Sequence, residues 1–427
     1  MNSNPPSTLL AGKRICVVTA GHLSTCPRML KAADAFAEAG SDVHVVSTSW
    51  MEWAKAGDAE IISRRPGKWK WSVVKWDRAS APARNFWSAM RHRLTRGAVN
   101  QFGPRRVSLR TLGAAQVRMN PELAVTAARV DCEFFYGGGG ALAATALAAE
   151  RRAVPFALDL EDFHSGEHDD SPDGQVSRVT VEEIERRMLG RAAFLTAGSG
   201  AIAEAYREKY GVNPLVVNNT FPLPPQPPEF KPFSSPAVRL YWFSQTIGAG
   251  RGLEEVVHAL GMADIPAELH LRGRPANGYL EGLQSLTAGA APKTKIIVHE
   301  PSPPDEMVAL AGDFEVGLAV EQTQNFNKRI CLTNKAFTYV LAGLAVVFTD
   351  TPGQRALAHD LGAGALLYRP GDVAALAKGL RIWASDKSVL LKARQATWEA
   401  AQRRWHWEHA SERGILLEAA VKVLRRN

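Results

Sequence analysis

Residues 244–253, SQTIGAGRGL, have the composition of a phosphate-binding turn between a strand and a helix. Gly248 and Gly250 would let backbone N–H groups approach a phosphate closely, and Arg251 would add a charge-assisted contact. Glycines also serve ordinary strand-to-helix turns, so the residues alone leave that alternative open.

Two further stretches could contribute to the same kind of site. Asn334 and Lys335 open a predicted helix over residues 335–341, and a helix N-terminus beside an ammonium favours a diphosphate. A lysine at this position does not otherwise help the helix dipole. Glu321 follows an apolar strand predicted over residues 316–320, where its carboxylate could accept hydrogen bonds from sugar hydroxyls. An ordinary surface acid is the alternative for Glu321.

The elements that must position these residues alternate between apolar strands and amphipathic helices. Predicted strands lie at residues 14–19, 43–47, 155–160 and 194–197 in the first half, and at 240–243, 268–271, 295–298, 316–320, 345–349 and 365–368 in the second. This alternation predicts an α/β protein with two doubly wound, Rossmann-like domains. Ligands of such sheets bind beyond the carboxyl ends of the strands, where the residues named above fall.

A proline-rich stretch marks the predicted domain boundary. Residues 221–236 contain seven prolines, which forbid a continuous helix and favour an extended spacer. We therefore predict an N-terminal domain over 1–221, a linker over 222–236 and a C-terminal domain over 237–410. A final helix over 411–427 is expected to pack back on the first domain.

The net charge of +8 is concentrated in one segment. Residues 61–120 hold fourteen lysines and arginines against one acid, Asp77, and the basic residues alternate with aromatic ones such as Trp69, Trp76 and Trp87. Within a basic, tryptophan-rich insertion predicted at about 51–120, this mixture suits an anionic membrane surface. Nucleic acid is a less supported partner because no nucleic-acid-binding module is recognisable. The alternative is a solvated basic face whose tryptophans point into the core.

The overall composition is that of a globular protein in a reducing compartment. With 427 residues and 46% hydrophobic content the chain can form two domains. The four cysteines lack the spacing of a disulfide framework or a zinc site, and we expect no bound metal. The first residues do not resemble a signal peptide, and no apolar run approaches the roughly 18 residues of a membrane-spanning helix. We expect a cytoplasmic protein, with the inner face of the cell membrane as a further location.

Several stretches, taken in order, resemble one enzyme family. The strongest is LTNKAFTYVLAGLAVVFTDTPG, followed by YWFSQTIGAGRGLEEVVHAL and HEPSPPDEMVALAGDFEVGLAVE. In the first half STCPRMLKAADAFAEAGSDVHVVS, LDLEDFH and VEEIERRMLGRAAFLTAGSGAIAEAYREKYG resemble it more thinly. The family is that of the retaining, sugar-nucleotide-dependent glycosyltransferases of group 1, or family four. Its members have the GT-B architecture, two facing Rossmann-like domains with a cleft between them.

The resemblance implies roles for the candidate residues of the second half. Arg251 and Lys335 correspond to the cations that hold the donor diphosphate, and the loop before Lys335 contacts the donor sugar. Two departures stand out: many members have an arginine where this chain has Thr246, and a ribose-binding glutamate where Thr338 stands. The spacing between Glu321 and the helix of Lys335 is longer than in members with paired glutamates.

In the first half the resemblance points to the acidic turn and to the first loop. His164 stands where the family has a polar residue facing the donor sugar, and Asp162 is a comparable catalytic candidate. Gly21 and His22 lie in the loop that could meet acceptor or donor. A lone histidine is, however, more often structural. The family needs no metal and no cofactor besides its nucleotide-sugar substrate.

The resulting expectation is a hexosyltransferase-type enzyme that moves a sugar from a UDP- or GDP-linked donor to a glycan or lipid-linked acceptor, with retention, in polysaccharide biosynthesis. Two alternatives remain. One is a nucleotide-sugar epimerase, because fold does not fix reaction. The other is a degenerate, non-catalytic scaffold, which Thr246 and Thr338 favour.

Overall fold

The computed structural model describes residues 8–230, 235–323 and 325–425. These residues form two compact units: the first consists of the described residues of Met1–Val217 and Arg413–Asn427, and the second of those of Asn218–Glu412. Each unit contains one parallel β-sheet against which helices pack. The predicted α/β class with two Rossmann-like sheets is therefore confirmed.

Parallel strands that are covered on both faces must be apolar along their whole length. The strands of the first unit are β1 Arg14–Thr19, β2 Asp42–Ser49, β3 Lys70–Lys75, β4 Phe134–Gly138, β5 Phe156–Leu160, β6 Leu195–Ala197 and β7 Leu215–Val216. Those of the second unit are β8 Val238–Ile247, β9 Ala267–Pro275, β10 Thr294–His299, β11 Val316–Ala319, β12 Ala345–Thr349 and β13 Ala365–Tyr368. The central strands β4, β5, β11 and β12 are buried at every position.

The helices connect these strands in the alternation that the sequence predicts. In the first half they are α1 Pro27–Glu38, α2 Glu52–Ser63, α3 Pro82–Phe102, α4 Leu109–Gln116, α5 Asn120–Ala127, α6 Leu142–Arg152, α7 Pro172–Met188 and α8 Gly200–Tyr210. In the second half they are α9 Leu253–Ala263, α10 Tyr279–Ala290, α11 Met307–Ala311, α12 Phe326–Ile330, α13 Asn334–Leu341, α14 Pro352–Leu361, α15 Val373–Ser385, α16 Lys387–Arg403 and α17 Ile415–Leu424. None of the described helices is long and apolar enough to cross a bilayer.

Both sheets have the same doubly wound topology. The spatial orders are β3-β2-β1-β4-β5-β6-β7 and β10-β9-β8-β11-β12-β13. The strand order therefore reverses between β1 and β4 in the first unit, and between β8 and β11 in the second. A crevice for ligands forms at the carboxyl ends of the strands at such a reversal.

Strand β8 is longer than the sequence predicts and shortens the loop that follows it. It runs to Ile247 rather than ending at Phe243, because Thr246 and Ile247 pair with Arg274 and Pro275 of β9 after a local irregularity. The first four residues of the predicted phosphate-binding loop are thus strand, and the loop itself begins at Gly248.

The basic segment at 51–120 is part of the first sheet rather than an insertion. Its β3 is the edge strand and pairs in parallel with β2, with His44 opposite Lys70 and Ser49 opposite Lys75. The helices α2, α3 and α4 occupy most of the remainder of the segment, and α5 begins at its last residue, Asn120. The basic residues therefore lie on the strands, helices and turns of the first α/β unit.

The proline-rich segment packs on the second unit instead of forming a free spacer. Phe221, Leu223 and Phe230 contact its hydrophobic core, and the Arg394 guanidinium lies 5.6 Å from the Phe230 ring. The two compact units divide between Val217 and Asn218, just before this segment, and residues 231–234 of the predicted linker lie outside the described residues. At the other end of the chain, α17 belongs to the first unit, where Arg413 forms an ion pair with Glu38 at 2.9 Å.

Candidate functional site

An ion pair between two predicted site residues forms the centre of the second unit's site. The Lys335 ammonium lies 2.7 Å from Glu321 Oε1, and each side chain is only 12% exposed. The Thr333 hydroxyl donates a hydrogen bond of 3.1 Å to the same carboxylate oxygen. Thr333 is the N-cap of α13, but because its hydroxyl is turned to Glu321 it does not cap the helix through its side chain. The first turn of α13 thus opens toward this carboxylate and ammonium.

The electrostatics keep this carboxylate ionised although it is buried. Burial raises the pKa of Glu321, but the charge and hydrogen bond of Lys335, the Thr333 hydrogen bond and the Arg251 charge together lower it below its usual value. The pKa of Lys328, in α12, is lowered by burial and by the neighbouring charges of Arg251 and Lys335. Arg251 and Lys335 therefore bring two cations to one carboxylate, with Lys328 near enough to influence both, and the excess of positive charge from Arg251 and Lys335 suits a diphosphate.

Arg251 is delivered to this cluster by a glycine turn. Gly250 and Gly252 flank it with φ angles of 71° and 78°, in the left-handed region that glycine adopts without strain. A Cβ on Gly252 would lie 2.5 Å from the Val320 carbonyl oxygen, so only glycine fits there. The Arg251 guanidinium makes no hydrogen bond to any residue that the structure describes. Gly248 is buried at the start of the turn.

These residues meet at the topological reversal of the second sheet. Arg251 follows β8 and Glu321 follows β11, the two strands between which the order reverses. This is where an open α/β sheet binds ligands. The Lys335 ammonium also lies 5.8 Å from the centre of the Trp242 ring of β8, a contact that favours a cation.

The two remaining predicted residues of this unit differ in their surroundings. Asn334 is the first residue of α13, and its side-chain oxygen accepts a hydrogen bond of 2.6 Å from the Asn219 amide. Thr338 lies one turn later on α13 and is only 1% exposed. Asn334 thus lies at the open end of the helix, whereas Thr338 is packed within the unit.

In the first unit, His164 is held as a cation by surrounding carboxylates. Its Nδ1 lies 3.6 Å from Glu167 Oε1. Burial lowers the pKa of His164, but the nearby Glu167 carboxylate and the charges of Glu185 and Asp162 outweigh this effect and raise the pKa to about 9. Its Nε2 is buried and has no hydrogen-bond partner in the described part of the chain. When His164 is protonated, its Nε2–H can therefore donate a hydrogen bond to an oxygen atom of a ligand.

The acidic turn before His164 contains a second perturbed group. Burial, followed by the charge of Asp162, raises the pKa of Glu161 to about 7. The Asp162 backbone carbonyl accepts a hydrogen bond of 3.2 Å from the Tyr206 hydroxyl, which fixes the turn. Glu161 directly follows β5, so the carboxyl edge of the first sheet carries a carboxyl group that titrates near neutrality, with Asp162 beside it.

The first loop is closely packed. A Cβ on Gly21 would lie 2.5 Å from Cys26 Sγ. His22 is fully buried; its Nε2 accepts hydrogen bonds from the backbone N–H groups of Trp50 and Met51, at 2.9 and 3.0 Å, and its Nδ1 lies 2.6 Å from Asp58 Oδ2. Both ring nitrogens are used within the protein. This arrangement gives His22 a positioning role for the loop.

Three residues of these sites were not predicted from the sequence: Lys328, Trp242 and Glu161. Lys328 lies in a short helix, and its proximity to Arg251 and Lys335 depends on long-range packing. Glu161 precedes Asp162 in the same acidic turn, so adjacent acids after a buried strand were a usable signal. Among the described residues no group of three or more histidines, cysteines or acids is arranged to hold a metal ion.

Comparison with known proteins identifies the fold. No protein-family model matches the chain, and no curated protein matches it by sequence. Among solved structures, Anabaena HepE in complex with UDP is 14% identical with a TM-score of 0.64, over 97% of this chain and 100% of that one. Sucrose-phosphate synthase from Thermosynechococcus elongatus is 13% identical with a TM-score of 0.64, over 97% and 98%.

A third solved structure, an α-glucosyltransferase in complex with UDP and DNA, is 12% identical with a TM-score of 0.56, over 97% of this chain and 100% of that one. Identities this low establish the fold and not the reaction. Because each alignment covers 97% of this chain, both of its sheets are similar to those of the solved structures. This chain has the GT-B fold that these solved structures share.

Proposed function

We propose that this chain is a glycosyltransferase that uses a nucleoside diphosphate sugar, a UDP- or GDP-sugar, as donor. The observation that supports this most strongly is the cluster of Arg251, Lys328 and Lys335 around Glu321 at the reversal point of the second sheet. A diphosphate is the ligand whose charge and size such a cluster fits. Complexes of Anabaena HepE with UDP and with UDP-glucose, on the same fold, agree with this donor class.

In the proposed reaction the bond between the anomeric carbon and the diphosphate oxygen breaks, and the acceptor hydroxyl oxygen bonds to the same face of that carbon. The acceptor proton passes to the departing phosphate, and the configuration is retained. Arg251, Lys335 and the N-terminus of α13 stabilise the negative charge that develops on the leaving diphosphate. No separate protein base is needed for this proton transfer.

Further roles follow for the remaining candidates. Glu321 accepts hydrogen bonds from hydroxyl groups of the donor, while Lys335 keeps it ionised. Asn334 and the glycine turn at Gly248 and Gly250 contribute polar groups beside the diphosphate. In the first unit, protonated His164 donates its free Nε2–H to a hydroxyl of the ligand, and Asp162 helps to keep His164 charged.

We propose a glycan or a lipid-linked sugar as acceptor, in polysaccharide biosynthesis.

A non-catalytic binding protein is the second candidate function. Thr246 is an exposed position of β8 and Thr338 is buried in α13, so neither supplies the charged contact that the resembling family has at those places. A nucleotide-sugar epimerase is the third candidate, because its donor would occupy the same site.

The test is proton NMR of the purified protein with UDP-glucose, UDP-N-acetylglucosamine or GDP-mannose, alone and with simple glycan acceptors. Release of the nucleoside diphosphate with a sugar product of the donor's anomeric configuration would support the proposal. Conversion of the donor sugar to its epimer would replace it by the epimerase. Nucleotide binding without turnover of any donor and acceptor combination would favour the non-catalytic protein.

A further inference from the structure

Helix α3 presents large apolar side chains to solvent along one side. Phe86, Trp87, Met90 and Leu94 are 58%, 62%, 40% and 69% exposed. Residues 86, 90 and 94 are spaced by four, and Trp87 adjoins them, so all four project from one face of the helix. In a soluble helix this stripe normally faces the core, whereas here only Ser88 and Val99 of α3 are buried. The face therefore needs a partner other than the protein's own core.

The charge on this helix selects the chemistry of that partner. None of its 21 residues is acidic, and it carries Arg84, Arg91, Arg93 and Arg96. Arg91 and Arg96 fasten the helix to the first unit through ion pairs with Glu122 and Asp173. Arg93 is exposed beside the apolar stripe and forms no ion pair with a described residue.

Basic residues continue beyond the C-terminal end of α3. Arg105, Arg106 and Arg110 are exposed and likewise have no ion-pair partner in the part of the chain that the structure describes. An apolar aromatic stripe flanked by unpaired arginines is complementary to a surface that is negative outside and apolar beneath. Such a surface is that of an anionic lipid bilayer.

Three other tryptophans of the basic segment are turned inward, whereas Trp53 of α2 is 45% exposed; most of the segment's exposed large apolar side chains therefore lie on α3. Trp69 donates a hydrogen bond of 3.0 Å to Asp34, and Trp71 donates one of 2.9 Å to Ser47. Trp76 packs against Trp50 and lies under the guanidinium of Arg118, 4.6 Å from its ring centre. Within residues 61–80 the basic side chains are thus accompanied by tryptophans that point inward. The exposed aromatic face begins at Phe86.

A small cavity lies at the beginning of α3. Its volume is about 460 Å³, and its lining includes Lys75, Ser80 and Arg84. The Ser80 hydroxyl donates to Asp77, and the two cations of the recess are suited to a phosphate group. The recess adjoins the first turn of α3. A lipid phosphate could therefore bind in the recess while the apolar side chains of α3 enter the acyl region of the same bilayer.

We propose that α3 docks this protein on an anionic membrane, lying in the plane of the interface. Phe86, Trp87, Met90 and Leu94 enter the boundary between headgroups and acyl chains, and the unpaired arginines contact lipid phosphates. The proposal goes beyond the glycosyltransferase function and does not depend on it. A failure of one would leave the other standing.

The experiment is sedimentation of the full chain with vesicles of phosphatidylcholine, and with vesicles that also contain phosphatidylglycerol. We expect binding to the anionic vesicles that weakens with added salt. The double variant W87S/L94S should lower the partition coefficient about tenfold, and R93E/R105E should lower it by about as much at low salt. All four residues are exposed, so these variants keep the fold, which circular dichroism verifies.

Matched controls come from the second unit. I382S removes an apolar side chain that is 47% exposed, and R369E reverses an exposed arginine. Neither should change sedimentation with vesicles. Equal binding to both kinds of vesicle, no binding, or binding that the α3 variants leave unchanged would overturn the proposal. Self-association in solution that W87S/L94S abolishes, without vesicle binding, would instead assign the face to a second copy of this chain.

Discussion

The ammonium of Lys335 and the carboxylate of Glu321 lie 2.7 Å apart, although Lys335 lies in the first turn of α13 and Glu321 in the loop that follows β11. Both side chains are nearly buried, and the Arg251 guanidinium adds a further positive charge beside the pair. Glu321 therefore occupies a position where an anionic ligand would compete with it for Lys335.

Removal of the negative charge at Glu321 should tighten the binding of nucleoside diphosphates. In Glu321→Gln the cluster keeps its three cations, so we expect UDP or GDP to bind about three- to tenfold more tightly at low salt, whereas sugar transfer slows. Calorimetric titration measures the affinity, and Glu300→Gln, an exposed acid of the same unit, is the control. Binding that becomes as weak as in Lys335→Ala would show that Glu321 itself holds the nucleotide.

The glycine turn around Arg251 should tolerate no side chain at Gly252. Gly252→Ala places a Cβ against the Val320 carbonyl at a residue with φ of 78°, so the turn must shift and nucleotide affinity should fall about tenfold or more. Gly282→Ala in α10 meets nothing within 4 Å and should keep full affinity, with a slight gain in stability. Equal affinities in both variants would mean that the turn does not take part in binding.

His164 should make the stability of the protein depend on pH. Its pKa is raised from 6.5 to about 9, so the folded state binds the proton more tightly than the unfolded state does. This contribution is complete below pH 6.5 and is lost as the pH rises through about 9, by about 3 kcal/mol in total. Urea unfolding across this window should show the loss in the wild type and not in His164→Gln. The same pH dependence in both proteins would contradict the charged state described for His164.

A buried ion pair in the first unit should be sensitive to loss of one partner. Asp159 is fully buried and accepts two hydrogen bonds from the Arg28 guanidinium, at 2.6 and 2.8 Å. Asp159→Asn leaves the Arg28 charge uncompensated and should cost about 3–5 kcal/mol in the free energy of unfolding. Asp131→Asn removes an acid that is 68% exposed and should cost less than about 1 kcal/mol. A similar small cost in both variants would show that water compensates Arg28.

Local sequence signals predicted the parts of the fold that depend on local structure. The α/β alternation, the apolar strands and the start of α13 beside Lys335 follow from periodicity and capping, which act within a few residues. The extension of β8 to Ile247 was missed because it depends on pairing with β9, far along the chain. The proline-rich segment was interpreted as a spacer because no local signal shows that Phe230 packs on the second core.

For the candidate site, too, local sequence signals predicted the individual residues but not the long-range contacts between them. Arg251, Lys335 and Glu321 were singled out one by one, and the structure brings them together because the carboxyl ends of β8 and β11 adjoin at the reversal of the sheet. The charged state of His164 depends on Glu185 of α7, which no spacing rule connects to the acidic turn. The ligands assigned to these residues remain predictions, as do the facing arrangement of the two domains and the cytoplasmic location.

The most direct test of the central claim is calorimetric titration of the purified protein with UDP, GDP and their sugar conjugates, beside Arg251→Ala and Lys335→Ala. Lys295→Ala, an exposed lysine of β10, is the matched control. We expect one nucleotide to bind, each site variant to weaken that binding at least about tenfold, and the control to leave it unchanged. Absence of binding by any of these nucleotides to the folded protein, or equal binding in all variants, would contradict this expectation.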